Sequence, residues 1–219
     1  IILTDELANG SGFVRSLYKD FSIILQETLQ PTNTDSYLGK IHSPTHQEKC
    51  ADACYDCLKI FRNMNWHSLL DWRLGLSMIR LFNDPNYKAG ADGIFAQYVE
   101  LKNWLQFAEK LRDSFIESFS NFGKTPEERE EYKCSFNGLP AIKYGNRRRK
   151  QKVILIVHPF WNIGDLAEDA WYTQCFAEAQ SYVAAQGGDP NYPDSDDIKT
   201  LDTFNLHRRI GWCYEKIMK

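Results

Sequence analysis

Apolar side chains recur at three- and four-residue spacing from Phe13 to Leu29. Val14, Leu17, Tyr18, Phe21, Ile24, Leu25 and Leu29 make one stripe, which predicts an amphipathic helix with that stripe inward. Ahead of it, Ile1 to Thr4 reads as a short buried strand and Asn9-Gly10-Ser11-Gly12 as a flexible turn that admits the helix. Gln30-Pro31 stops the helix, and a polar stretch without a period runs from Thr32 to Glu48. Leu58 to Phe61 suggests a short helical or extended piece. A second amphipathic helix is predicted from about Ser68 to Phe82, built on Leu69, Leu70, Trp72, Leu76, Ile79 and Leu81. Ser68 is its expected cap, Asp71 sits at the favourable end of the dipole, and Asp84-Pro85 closes it.

Beyond Gly90-Ala91-Asp92-Gly93, which reads as a hinge, the pattern changes. A longer helical period spans Ile94 to Phe122, with Gly123 suited to its end, and Thr125 to Glu128 would open a short charged helix. Tyr132 to Phe136 and Ala141 to Tyr144 alternate like half-buried strands. Val153 to Val157 is a continuous β-branched and aliphatic run, the pattern of a strand covered on both faces. Glu168 to Ala185 reads as a helix broken by Gly187-Gly188. Pro190 to Asp197 reads as an acidic loop, and Asn205 to Lys219 as a terminal helix. The expected architecture is mixed α/β: a helical N-terminal half, residues 1–84, followed by a small sheet with covering helices in residues 94–219.

At 219 residues, 43% hydrophobic and 14% aromatic, the chain has material for a real core. Its net charge of −3 excludes whole-chain basicity as a reason to expect nucleic acid. No apolar run approaches the roughly 20 residues that cross a bilayer, so a cytoplasmic protein is expected. The opening Ile-Ile-Leu-Thr-Asp, without Met and already strand-like, suggests a piece of a larger polypeptide.

The densest chemistry lies at Cys50, Cys54 and Cys57, three of the six cysteines within eight residues. An odd group of three cannot pair off as disulfides, whereas C-x3-C-x2-C brings three thiolates to one ion from a single tight turn. Zinc, satisfied by four such ligands in a tetrahedron, is the expected metal. The fourth ligand is open from spacing alone: His46, His42, His67 or a residue outside this chain.

Asp5, Gly10-x-Gly12-Phe13, Cys54-x2-Cys57-Leu58, Phe61-x-Asn63, His67 and Leu70-Asp71-x-Arg73 stand in the order found in one zinc-binding domain. Over residues 1–82 the chain resembles the MrfA-type zinc-binding domain that ends bacterial DExH-box DNA helicases. That domain also occurs in helicase-associated proteins of anti-phage systems, and Leu69 to Leu74 is similar to the stretch found in DISARM. Two departures are visible: the family's fourth cysteine ahead of the triplet is missing, and its Leu-Asp-Arg stands here as Leu70-Asp71-Trp72-Arg73. The resemblance implies a non-catalytic, zinc-stabilised accessory of a DNA-translocating defence or repair complex. Its partners would be a helicase and DNA, with the motor in another region or subunit.

Two further clusters bear on function. Arg147-Arg148-Arg149-Lys150, with Lys152 behind, lies between two predicted strands, where a hairpin tip would offer its charges to phosphates. His158 ends the buried strand and Asp165 follows, a pair from which a metal-dependent nuclease or hydrolase can be drawn. Alternatively, zinc and aromatics build only a docking surface, which requires a large exposed apolar patch. No Walker sequence, Ser-His-Asp order or His-Glu-x-x-His is present. Cys134, Cys175 and Cys213 read as small apolar residues.

Overall fold

Sequence-local rules build the first of two compact units, Ile1–Tyr87 and Lys88–Lys219. The structure is a computed structural model and describes residues 12–118, 133–144, 152–162, 164, 166–168, 170–194 and 196–218. The strand and turn expected over residues 1–11, and the helix expected at Thr125, lie outside these. The fold is mixed α/β.

In the first unit the stripe expected as one helix forms two, α1 (Phe13–Lys19) and α2 (Phe21–Leu29). Gly12 enters α1 at φ 74, a left-handed value that suits only glycine without strain. Asp20 separates the helices at φ −100 and ψ 10, because a short acidic side chain has little helix preference of its own. The stripe is not covered throughout: Leu29 is buried, whereas Tyr18, Phe21 and Ile24 are exposed. The polar stretch after Pro31 folds into α3 (Tyr37–His42) and α4 (Pro44–Lys49). Serines start both. Ser36 Oγ accepts from Gly39 N at 3.0 Å and Ser43 Oγ from His46 N at 3.2 Å, with Pro44 in the first turn.

Helix α5 runs Trp72–Asn83, four residues later than expected. Its cap is Asp71 and not Ser68: Asp71 Oδ1 accepts from Arg73 N and Leu74 N, each at 3.0 Å. A cap of this kind contributes about 0.5–2 kcal/mol. Between the cysteines and α5, Phe61–Trp66 forms a 3-10 helix.

The second unit is organised on a four-stranded sheet in the order β1 (Lys133–Phe136), β2 (Leu139–Tyr144), β3 (Lys152–Val157) and β4 (Ile198–Asp202). Asn137 and Gly138, both at positive φ, close the β1–β2 hairpin in the sense that matches strand twist. β2 and β3 pair antiparallel, Ala141 opposite Leu155, and β3 and β4 pair parallel, Val153 opposite Ile198. In β3, residues 153–156 are fully buried, as a strand covered on both faces requires. Helices α6 (Trp104–Ser118) and α7 (Trp171–Ala185) pack on the sheet.

The second unit departs from the expected pattern at two helix starts, one helix split and one strand. The helix expected from Ile94 starts only at Trp104, since Asn103 sits at φ 62 and three-residue turns fill the segment before it. α7 starts at Trp171 rather than Glu168. The terminal helix is split by Arg209, φ −138, into α8 (Thr203–Arg208) and α9 (Ile210–Met218). β4 was not expected at all. With two apolar residues in Ile198-Lys199-Thr200-Leu201-Asp202, it shows neither alternation nor a hydrophobic run. Gly90 and Gly93 belong to the second unit, where a side chain at Gly93 would press on Trp171.

Candidate metal centre

The four donors come from one helix end and one turn. His46 lies in α4, and Cys50 caps that helix one turn on, its N–H donating to the His46 carbonyl at 2.8 Å. Cys54 and Cys57 sit on the turn that follows, closed by Cys57 N to Cys54 O at 3.2 Å and Lys59 N to Cys54 O at 2.9 Å. The ligating atoms of His46, Cys50, Cys54 and Cys57 all lie within 4.8 Å of one another. Cys54 Sγ stands 3.6 Å from Cys57 Sγ and 3.6 Å from His46 Nε2, and Cys50 Sγ 3.8 Å from Cys57 Sγ. Such a group can hold one metal ion.

The histidine alternatives separate by what their rings bond. His46 Nδ1 stands 2.9 Å from the Ile41 carbonyl, an acceptor, so Nδ1 carries the proton and Nε2 turns its lone pair toward the thiols. His42 Nε2 is engaged with Thr28 O at 3.0 Å. His67 Nε2 bonds Ile60 O at 3.0 Å and Asn63 Oδ1 at 2.9 Å. His67 therefore does not join the cluster. Asn63 completes this second knot, accepting from Ile60 N at 2.9 Å and donating to Leu58 O at 2.8 Å.

Electrostatics make the thiol cluster costly to ionise without a cation. Burial, reinforced by Cys54 and Cys57, pushes the Cys50 thiol far up, and burial also raises Cys57. The Tyr37 phenol is raised by burial and then by the nearby Cys57 and Cys54. A bound cation inverts this order, because it stabilises each thiolate directly. One backbone donor is already aimed at sulfur: Cys54 N lies 3.0 Å from Cys57 Sγ.

Trp72 holds the cluster in place, a role that the sequence did not reveal, since there it stands only as one apolar residue of the helix stripe. Its backbone N–H donates to Asp52 O at 2.9 Å and its indole to Cys50 O at 3.1 Å. The buried ring lies 5.3 Å from the His46 ring, and the Arg73 guanidinium stacks on it at 4.4 Å while donating to Gln47 O. The signal was present in Leu70-Asp71-Trp72-Arg73: the cap fixes where the helix begins, so the next two side chains are aimed back at the cysteine turn.

Other candidates fall away from this centre. Arg147, Arg148, Arg149 and Lys150 lie outside the described residues, as does Asp165. Lys152 opens β3, and its ammonium lies 3.8 Å from Asp197, so it already has an intramolecular partner. His158 is buried among Trp104, Phe160 and Trp161, and its Nδ1 accepts from Phe160 N at 3.2 Å. That is the setting of a core histidine. Cys175 and Cys213 are fully buried and Cys134 partly so; burial raises their thiols to about 12, about 11 and about 11.

Burial lowers His158 from 6.5 to about 3. Between those values the unfolded chain binds a proton that the folded unit refuses, so stability falls as pH falls from 6.5 and is flat above it. The second unit should lose about 2 kcal/mol from pH 6.5 to 5 relative to a His158→Gln variant. Urea midpoints of the two proteins across that window measure it, and parallel curves would contradict it.

No family model matches the chain, and no curated protein or solved structure matches it either. Among the described residues no helix is long and apolar enough to cross a membrane.

Proposed function

We propose that His46, Cys50, Cys54 and Cys57 hold one zinc ion as a structural centre. The observation that carries this is the convergence of three sulfurs and an imidazole Nε2 whose tautomer is set by the Ile41 carbonyl. Soft thiolates with one imidazole suit zinc, and four protein donors leave no position open for substrate. The module is accordingly non-catalytic. Metal analysis of the purified chain tests this: one zinc per chain is expected, lost or strongly weakened in His46→Ala and retained in His67→Ala. Equal metal in all three proteins would remove His46 from the ligand set.

The wider reading is an accessory region of a bacterial DNA helicase or translocase complex in anti-phage defence or repair. The ordered motif from Cys54 to Arg73 supports it, with Asp71 capping α5 and Arg73 bonding Gln47 O. DNA binding through the basic run is part of the same proposal. Changing Arg147, Arg148 and Arg149 together to Ala should weaken DNA binding and lower its salt slope by about 0.7–0.9 for each phosphate that is no longer neutralised. Unchanged affinity and slope would take DNA binding away from that run. The exposed apolar residues beyond Cys54 favour a second reading, a protein-docking module without DNA binding.

A further inference from the structure

The loop around and after the last cysteines exposes most of its large apolar side chains. Two of its polar side chains are turned inward, Asn63 bonding Ile60 N and Leu58 O and His67 bonding Ile60 O and Asn63, while Arg62, Asn65 and Ser68 stay exposed. Its apolar side chains are left in water: Tyr55 is 72% exposed, Ile60 54%, Phe61 84%, Met64 55%, Trp66 62% and Leu69 46%. The pieces belong to one block. The Tyr55 ring meets the His67 ring edge-on at 5.7 Å, and Leu69 N donates to Trp66 O at 2.8 Å.

An isolated exposed aromatic needs no explanation, but six large apolar residues within fifteen positions do. The three rings alone leave roughly 330–550 Å² in water, taking 150–250 Å² for each at these exposures. Ile60, Met64 and Leu69 bring the face toward the ~800 Å² that each partner gives to a standard interface. Its residue types, Tyr, Phe, Trp and Met with Arg62 among them, are those enriched at protein interfaces and their hot spots. They suit single-stranded nucleic acid less well: half of the six have no ring to stack, and from Cys57 to Leu70 only Lys59 and Arg62 are basic.

We propose that this face is a homodimer interface, packing on the same face of a second copy of this chain about a two-fold axis. Charge argues for a copy of itself. Exposed Asp56 and exposed Arg62 both lie within this stretch, so a self-complementary interface can place each Arg62 against an Asp56 across the axis. Two such faces together approach the ~1,600 Å² of a standard interface. The internal bonds of Asn63 and His67 fix the loop beforehand, so little order remains to be imposed on association. The inference goes beyond the zinc reading, since none of the six side chains is a metal ligand.

Sedimentation equilibrium of the whole chain over a concentration series is the test, with zinc measured on every sample. The expected result is a dimer that dissociates on dilution, weakened at least about tenfold by Phe61→Ser with Trp66→Ser. Arg62→Asp alone should also weaken it, and Arg62→Asp combined with Asp56→Arg should restore it. This surface pair keeps the test decisive if the double Ser variant folds poorly. Unchanged zinc in the charge variants separates loss of the interface from loss of the metal centre. A monomer at every concentration, a dimer indifferent to these substitutions, or a charge swap that restores nothing would overturn the proposal. So would a monomer whose tryptophan fluorescence is quenched by an oligothymidylate in the unaltered chain but not in Trp66→Phe, which would assign the face to nucleic acid.

Discussion

Cys57→Ser is expected to release the metal and unfold the first unit while the four-stranded sheet stays folded. Cys57 is the centre of the sulfur cluster, 3.6 Å from Cys54 Sγ and 3.8 Å from Cys50 Sγ, and is itself buried. A serine oxygen is a poor zinc ligand and would leave a polar group in a pocket shaped for sulfur. The size of the effect follows from how little else holds this unit. Among its described residues the buried hydrophobics are few, Leu29, Ile41, Trp72, Leu76 and Tyr87 the largest of them, and much of the α1–α2 stripe is exposed. Structural zinc contributes an apparent ~10–16 kcal/mol in small zinc-dependent folds, against the ~5–15 kcal/mol that is the whole stability of a typical domain. Hydrogen exchange read separately over residues 12–87 and 88–218 checks the prediction. Protection should vanish in the first range and persist in the second, and a strong chelator on the unaltered chain should reproduce the pattern. Full protection in both ranges after metal loss would refute a structural role for the ion.

The converse experiment removes core from the second unit. Leu155→Ala should destabilise it by about 3–5 kcal/mol, the range for a buried leucine whose surroundings cannot collapse. Leu155 is fully buried in β3, flanked across the ladder by Ala141 on β2 and Thr200 on β4. Those neighbours are small, and the strands on either side are held by their own hydrogen bonds, so the vacated volume stays vacant. A denaturant midpoint that falls for the second unit, with zinc content unchanged, is the expected result. A loss below about 1 kcal/mol would mean that the sheet repacks freely.

Together these substitutions contrast two sources of stability in one chain. On the metal reading proposed above, the first unit would draw on coordinate bonds, because its residues 32 to 56 bury only a few apolar side chains, Ile41 and Ala53 among them. The second draws on a conventional hydrophobic interior from β3, α6, α7 and their neighbours.

Sequence alone determined what was carried by local chemistry. The strand at Val153 to Val157 was legible because five consecutive aliphatic residues are incompatible with a solvated surface. The hairpin strands on either side of Asn137-Gly138 followed from alternation. The cysteine triplet pointed to a metal site because three thiols within eight residues are seldom needed for packing, and the structure brings their sulfurs together with an imidazole. What spacing could not decide was which histidine completes it. His42, His46 and His67 are all near enough in sequence, and the choice was made by the carbonyls of Thr28, Ile41 and Ile60, whose positions depend on how α2, α3 and the 3-10 turn pack. β4 was likewise invisible: Ile198 to Asp202 has little strand character of its own and is held by pairing with β3, a partner some 45 residues earlier. The true start of α5 and the aim of Trp72 belong in the same class. Periodicity records which side chains prefer to leave water, whereas register, tautomer and the direction of a side chain are fixed only when distant segments compete for the same hydrogen-bonding groups.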